Sequence, residues 1–199
     1  YRATSGFDGA YWAVENNKFS EDTQRFFGNG FGQYATNLGE NQKLTLKYQL
    51  GVDSYTSNYT DLWGYGHANK SGEVENYHIS VTEWNSLGTA AYNWKINDDL
   101  VFDAMIGNEI VNRVRRRDYA YGTNFNFADW NNINNATTFT AEQTLRHTRT
   151  FGTFGSLALA YKNMLFLNAT GRNDIVSSMP RNNRSFFYPS VSAGFVFTE

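Results

Sequence analysis

KLTLKYQLGVD, residues 43–53, decides the class of fold. Leu44, Leu46, Tyr48, Leu50 and Val52 fall on one parity, and Lys43, Thr45, Lys47, Gln49, Gly51 and Asp53 on the other. Successive side chains of a β-strand point to opposite faces, so this stretch reads as a strand with one apolar and one polar face. The alternation lasts about ten residues, the length with which a tilted strand crosses a bilayer.

The same pattern recurs on both sides. In DLVFDAMIGNEI (99–110), Leu100, Phe102, Ala104 and Ile106 oppose Asp103, Gly107 and Glu109. In LFLNATGR (165–172), Leu165, Leu167 and Ala169 oppose Asn168, Thr170 and Arg172. PSVSAGFVFT (189–198) sets Val191, Ala193, Phe195 and Phe197 against Ser190, Ser192, Gly194 and the less fitting Val196. Segments 25–36, 82–95 and 146–161 read as strands with blurred faces, which brings the expected total to seven.

The connections are expected to alternate in length: short at 37–42, 96–99 and 162–164, long at about 55–81, about 115–145 and 173–185. Long connections without secondary structure are uncommon in compact domains. A short/long rhythm is the signature of an up-and-down outer-membrane barrel, with short periplasmic turns and long extracellular loops. Seven strands are an odd number, whereas single-chain bacterial barrels have an even one, and an open sheet would leave two unpaired edges in lipid. The chain is therefore expected to be an arc of a larger barrel, and a complete small porin is disfavoured.

Composition agrees with this class. Of 199 residues, 17% are aromatic and 18% charged, the latter below the roughly 25% of an ordinary soluble domain. A net charge of −2, with its basic residues clustered locally at Arg113, Arg115, Arg116 and Arg117, gives no support to nucleic-acid binding. The chain has no cysteine, so disulfide frameworks and thiolate metal sites are excluded. No run approaches the roughly 18 apolar residues of a membrane helix. The opening YRATSGFDGAYW lacks the pattern of a signal peptide, so the chain is expected to have lost its export signal or to begin inside a longer protein.

Two terminal stretches carry a family resemblance. SFFYPSVSAGFVFTE, through Phe187, Tyr188, Pro189, Ser190, Val191, Ser192 and Glu199, resembles the aromatic-Pro-Ser-Val-Ser strand of SusC/RagA-type TonB-dependent transporters. AYWAVENNKFSEDTQRFFGN is similar to that family's Tyr-Trp, Asn-rich stretch leading into an Arg-Phe-x-Gly-Asn strand start, carried here by Tyr11, Trp12, Asn16, Asn17, Arg25, Phe26 or Phe27, Gly28 and Asn29. It departs from the family pattern in having Ala10 where a proline is expected. The resemblance implies an all-β fragment, residues 1–199, of the C-terminal barrel domain of a 22-stranded barrel with a plug in its lumen. It further implies a bacterial outer-membrane location, a SusD-like lipoprotein lid, energy from TonB, and import of oligosaccharides or peptides. The plug and the TonB-contacting segment are not recognisable in these residues.

Several side chains are candidates for contact with cargo. Arg113, Arg115 and Arg117 share the parity of Asp103 and Glu109. They either reach an anionic group of the substrate or acidic plug residues, or sit as solvated charges at the base of a loop. Trp63, Tyr65 and His67 in the first long connection, and Trp130 with Asn131 and Asn132 in the second, could stack sugars and bind hydroxyls, or could pin loops and contact the lid. Phe186, Phe187 and Tyr188, with Phe195 and Phe197 beyond, read as aromatic girdles at the two membrane interfaces.

His67, His78 and His147 lack metal-site spacing, no cofactor is expected, and Asp98 and Asp99 belong to a turn rather than an acid/base pair. No phosphate loop or nucleophile motif appears, and catalysis is not expected. Sequons such as those at Asn58 and Asn135 are expected from the abundance of Asn and Thr. The rival reading is a soluble all-β carbohydrate-binding or glycoside-processing domain, which requires the apolar faces to be enclosed by a second layer.

Overall fold

The structure, a computed structural model, describes residues 8–66 and 71–197. A short helix, α1 (Ala10–Asn16), precedes seven strands: β1 (Lys18–Gly39), β2 (Gln42–Trp63), β3 (Glu73–Lys95), β4 (Leu100–Phe125), β5 (Ala136–Tyr161), β6 (Leu165–Val176) and β7 (Ser185–Phe195). They form one sheet in the order β1-β2-β3-β4-β5-β6-β7, each strand beside its neighbour in sequence. The register is fixed at one edge by antiparallel pairs such as Phe154 with Arg172, and Leu165 with Phe195. No described helix is long and apolar enough to cross a membrane, which leaves a strand-built crossing untouched.

The short turns fall where the sequence places them, but the long connections are far shorter than expected. Residues 55–63 extend β2 and 73–81 belong to β3, so the first connection narrows to 64–72. Likewise β4 runs to Phe125 and β5 begins at Ala136, leaving 126–135, which includes a 3-10 turn at Ile133–Asn135. The third shrinks to 177–184 around a 3-10 turn at Arg181–Asn183. Hydrophobic period marks a strand only where one face is apolar. In SYTSNYTDLW both parities carry polar or aromatic side chains, and the strand persists through backbone pairing and the β-preference of Tyr and Thr.

By contacts the chain divides into two units. The first comprises residues 1–26, 54–82 and 114–146; the second comprises 27–53, 83–113 and 147–199. In the second unit the apolar parity of the sequence is exposed, not enclosed. Leu46, Tyr48 and Leu50 of β2 are 42%, 54% and 51% exposed, and Ile106, Leu157, Leu167 and Val191 are similarly open. Among the described residues no second layer covers them, so the enclosed core required by a soluble sandwich is absent from this unit.

The second unit also shows how the terminal aromatic cluster divides. Phe187, Pro189, Val191, Ala193 and Phe195 pair with Asn173, Gly171, Ala169, Leu167 and Leu165 and share their face. Phe186 and Tyr188 pair with Asp174 and Arg172 and take the opposite face. The cluster Phe186–Tyr188 is therefore not a single girdle, because three consecutive strand residues cannot share a face. In the turn before β4, the Lys95 ammonium lies 2.7 Å from Asp98 and holds its carboxyl below the usual carboxylate range. The stabilisation from that depressed value is present above the unfolded pKa and is lost as pH falls through the folded one.

The first unit has a small core of its own. Leu62, Val74, Phe125 and Ala136 are buried together, with Ile133 against them. Gly72, at φ +120°, passes so close to the Phe125 ring that a Cβ would lie 2.4 Å from it. The loop 126–135 is pinned by Asn135, which is fully buried. Its amide nitrogen donates to the carbonyls of Phe127 at 2.8 Å and Trp130 at 2.9 Å, and its oxygen accepts from the Asn126 and Phe127 amides. An asparagine so fully engaged cannot carry a glycan, whatever its sequon. Helix α1 is tied in by Asn17, whose side-chain oxygen accepts from Gly64 N at 3.0 Å.

Candidate functional site

The polar parity carries the chemistry. In the second unit it is organised by glycines. A Cβ on Gly107 would lie 2.3 Å from the Phe154 ring, so the glycine on β4 makes the space in which that ring lies. Gly152 on β5 does the same for a charge cluster, since a Cβ there would come within 2.6 Å of both Arg172 and Asp174. Arg172 donates through Nε to both carboxylate oxygens of Asp174, at 2.9 and 3.0 Å, and through Nη2 to Glu109 Oε2 at 2.6 Å. Its guanidinium also covers the Phe154 ring at 5.6 Å. Two carboxylates, one arginine and one ring are thereby fixed on one face, with the side chains of Arg172 and Glu109 still 37% and 35% exposed.

On the same parity of the second unit, Arg113 lies 3.9 Å from Glu83, and Asn93 donates to Asp103 at 2.6 Å. Lys47 sits over the Phe31 ring at 4.9 Å, and Gly51 accommodates Asn85. On this face Arg113 and Arg172 meet carboxylates, while Asp103 and Lys47 are held by an amide and a ring.

The first unit carries a tyrosine cluster. Tyr77 and Tyr119 pack at 4.9 Å, with Tyr59 edge-on to Tyr77 at 6.4 Å. Glu75 accepts from both hydroxyls, at 3.0 Å from Tyr77 and 3.4 Å from Tyr119, while Tyr121 donates to Glu73. Arg117 lies over both rings, 5.0 Å from Tyr77 and 5.3 Å from Tyr119. A cation held on two ring faces and a carboxylate shared by two phenols make a preorganised polar surface.

The expected contact residues are thus distributed unevenly. Arg117 joins the tyrosine cluster, Glu109 joins Arg172, and Arg113 takes Glu83. Arg115 makes no ion pair among the described residues. Trp63 is half-buried at the end of β2 and meets Phe19 edge-on at 5.3 Å, a packing role. Tyr65 lies in the turn that follows, 39% exposed. Trp130 stacks on Phe127 at 5.5 Å and 9°, so one of its faces is taken by its own loop. His67 lies outside the described residues. His78 and His147 each meet an asparagine oxygen, of Asn58 and Asn112 respectively.

Sequence reasoning missed the partners rather than the faces. Arg172 was on the polar parity, yet nothing in its neighbourhood points to Glu109, 63 positions away. Tyr77 and Tyr119 lay in segments read as connections; their signal was the recurring Tyr-x-Tyr and Glu-x-Glu spacing of 119–121 and 73–75, which marks one face of a strand. Among the described residues no cluster of His, Asp and Glu could hold a metal. The arrangement offers fixed donors, acceptors and ring faces, suited to binding.

No family model and no curated protein matches the chain. Solved structures do. The RagAB peptide transporter aligns at TM-score 0.81 and 22% identity, over 93% of this chain and 21% of that one. The RagAB peptide importer in its open-open and closed-closed states aligns at the same TM-score, with 21% and 20% identity, over 94% of this chain and 21% of each. This chain therefore spans about a fifth of the length of those proteins, and at that identity the likeness is one of fold: an all-β, antiparallel, up-and-down sheet shared with part of a transporter.

Proposed function

We propose that this chain is part of the barrel wall of a TonB-dependent outer-membrane importer of the SusC/RagA type. In this reading the apolar parity faces hydrocarbon and the polar parity faces the lumen and its plug. The connections 64–72, 126–135 and 177–184 lie on the extracellular side. The observation that carries it is the split between the faces in the second unit: Leu46, Tyr48 and Leu50 lie exposed on one, while Lys47, Glu109, Arg113 and Arg172 find partners on the other. An exposed continuous apolar face on an open sheet needs a lipid or protein cover.

The similarity to chains of peptide importers supports transport as the class of function, and no enzymatic role is proposed. Cargo is of the oligosaccharide or peptide class, received under a SusD-like lipoprotein lid, with TonB acting on a plug elsewhere in the intact protein. The candidate cargo or plug contacts are Arg113, Arg115, Arg117 and Glu109, with Trp63, Tyr65 and Trp130 toward the vestibule.

These residues contain no cysteine, so the reading can be tested by single cysteine substitutions here, in the intact protein cleared of any cysteine outside this stretch. Lys47→Cys should react with a water-soluble maleimide, whereas Leu46→Cys, facing hydrocarbon where the thiolate does not form, should stay unlabelled until the protein is unfolded. Equal labelling of both positions would remove the membrane assignment. Uptake of labelled peptides and oligosaccharides that persists without TonB would remove the transport mechanism.

A further inference from the structure

The second unit carries a groove on its apolar parity. It has a volume of about 520 Å³. Its floor is made of small residues, Gly155, Ala169 and Gly171, and its sides include Ile106, Leu157 and Val191. Gly171 lets the Phe187 ring lie close to the strand, since a Cβ would stand 3.3 Å from it. The groove is almost wholly apolar, and it opens on the face where large apolar side chains are uncovered.

Along β5 the same parity leads from Gly155 through Thr153 and Phe151 to Arg149 and His147. Here the face changes character. Arg149 donates through Nε to Asn112 Oδ1 at 3.2 Å, and His147 Nε2 meets the same oxygen at 2.6 Å. The Arg149 backbone is held in turn, its N–H donating to Ser177 Oγ at 2.7 Å. Arg149 has no carboxylate partner among the described residues, whereas Arg172 on the other face has two. A cation left without a counter-ion at the polar margin of an apolar surface is complementary to an anion from outside the chain.

The spacing matches a lipid. Gly155 and Arg149 are six residues apart on one strand, about 20 Å, close to the depth of a single leaflet with its interface. Arg149 lies midway along β5, level with the end of β6 and the start of the 177–184 connection, which is extracellular in the reading above. We propose that the groove and the Arg149 cluster form one site for a phosphorylated, acylated lipid of the outer leaflet, its chain in the groove and its phosphate on Arg149. The site rests on the outer-membrane reading. The groove supplies an apolar channel where a smooth wall would offer only loose contact, and the guanidinium supplies two donors in the geometry a phosphate accepts.

The test uses the intact protein in detergent, with added diphosphorylated lipid A or the same lipid A stripped of its phosphates, followed by native mass spectrometry. The phosphorylated lipid should be retained at least tenfold better. Arg149→Gln should abolish that preference, Arg149→Lys should keep most of it, and Ala169→Trp should weaken retention by filling the groove. Equal retention of the two lipids, or an unchanged preference in Arg149→Gln, would overturn the site. Insertion into proteoliposomes, scored by the heat-dependent shift of the folded band on a gel, is run on every variant. Loss of insertion in the unmodified protein would undo the outer-membrane reading itself, while normal insertion without lipid preference would undo only the lipid site.

Discussion

Arg172 and Glu109 meet at 2.6 Å although β5 lies between their strands in the sheet. The contact passes over Gly152, the one residue type that leaves the backbone of the intervening strand bare. An ion pair spanning two strand spacings ties three strands together on one face, which a contact between neighbours could not do.

Gly152→Val should therefore break the pair without touching either charge. The Cβ would enter the space of Arg172 and Asp174, and overpacking of this kind costs about 1–3 kcal/mol. Urea unfolding of the intact barrel measures it. In a double-mutant cycle, the coupling between Arg172→Met and Glu109→Gln should shrink in the Gly152→Val background; an undiminished coupling would mean that the pair does not depend on the bare backbone.

Gly107→Ala should destabilise by a similar ~1–3 kcal/mol, since Phe154 occupies the position of the new methyl. Phe154→Leu in the same molecule should recover part of that loss by freeing the space. The relevant comparison is the midpoint of unfolding for the two single variants and the double one. Additive losses would show that the glycine serves something other than the ring.

Leu46→Arg places a cation on the exposed apolar face, and if the site lies at the bilayer midplane the penalty is about 2–4 kcal/mol. Thr45→Arg, one residue away on the opposite face, should be much milder. Folding yields into lipid vesicles check the pair. Similar yields would show the assignment of faces to be mistaken.

Asn135→Ala removes two donated hydrogen bonds and the acceptor of two backbone amides from a fully buried position. Unsatisfied buried groups cost about 1–3 kcal/mol each, so loop 126–135 should open locally while the strands stay paired. Faster amide exchange or proteolysis confined to this loop is the expected result, and a loop as protected as before would refute the role given to the asparagine.

The sequence by itself determined that the chain is a series of two-faced strands joined by alternating connections, because a period of two along KLTLKYQLGVD and its counterparts admits one backbone. It also determined which side chains share a face, since parity needs no knowledge of the partner strand: Lys47, Glu109 and Arg172 were on the polar side before any contact was known. Strand lengths were less legible. Above the apolar stretch both faces of 55–63 and 115–125 are polar or aromatic, so alternation disappears while backbone pairing continues. What only the tertiary structure decided was which distant residues meet, as with Glu109 and Arg172, Tyr77 and Tyr119, or Arg149 and Asn112. Those meetings depend on inter-strand register and on where glycines leave the backbone bare, and register is a relation between strands that no single strand's pattern contains.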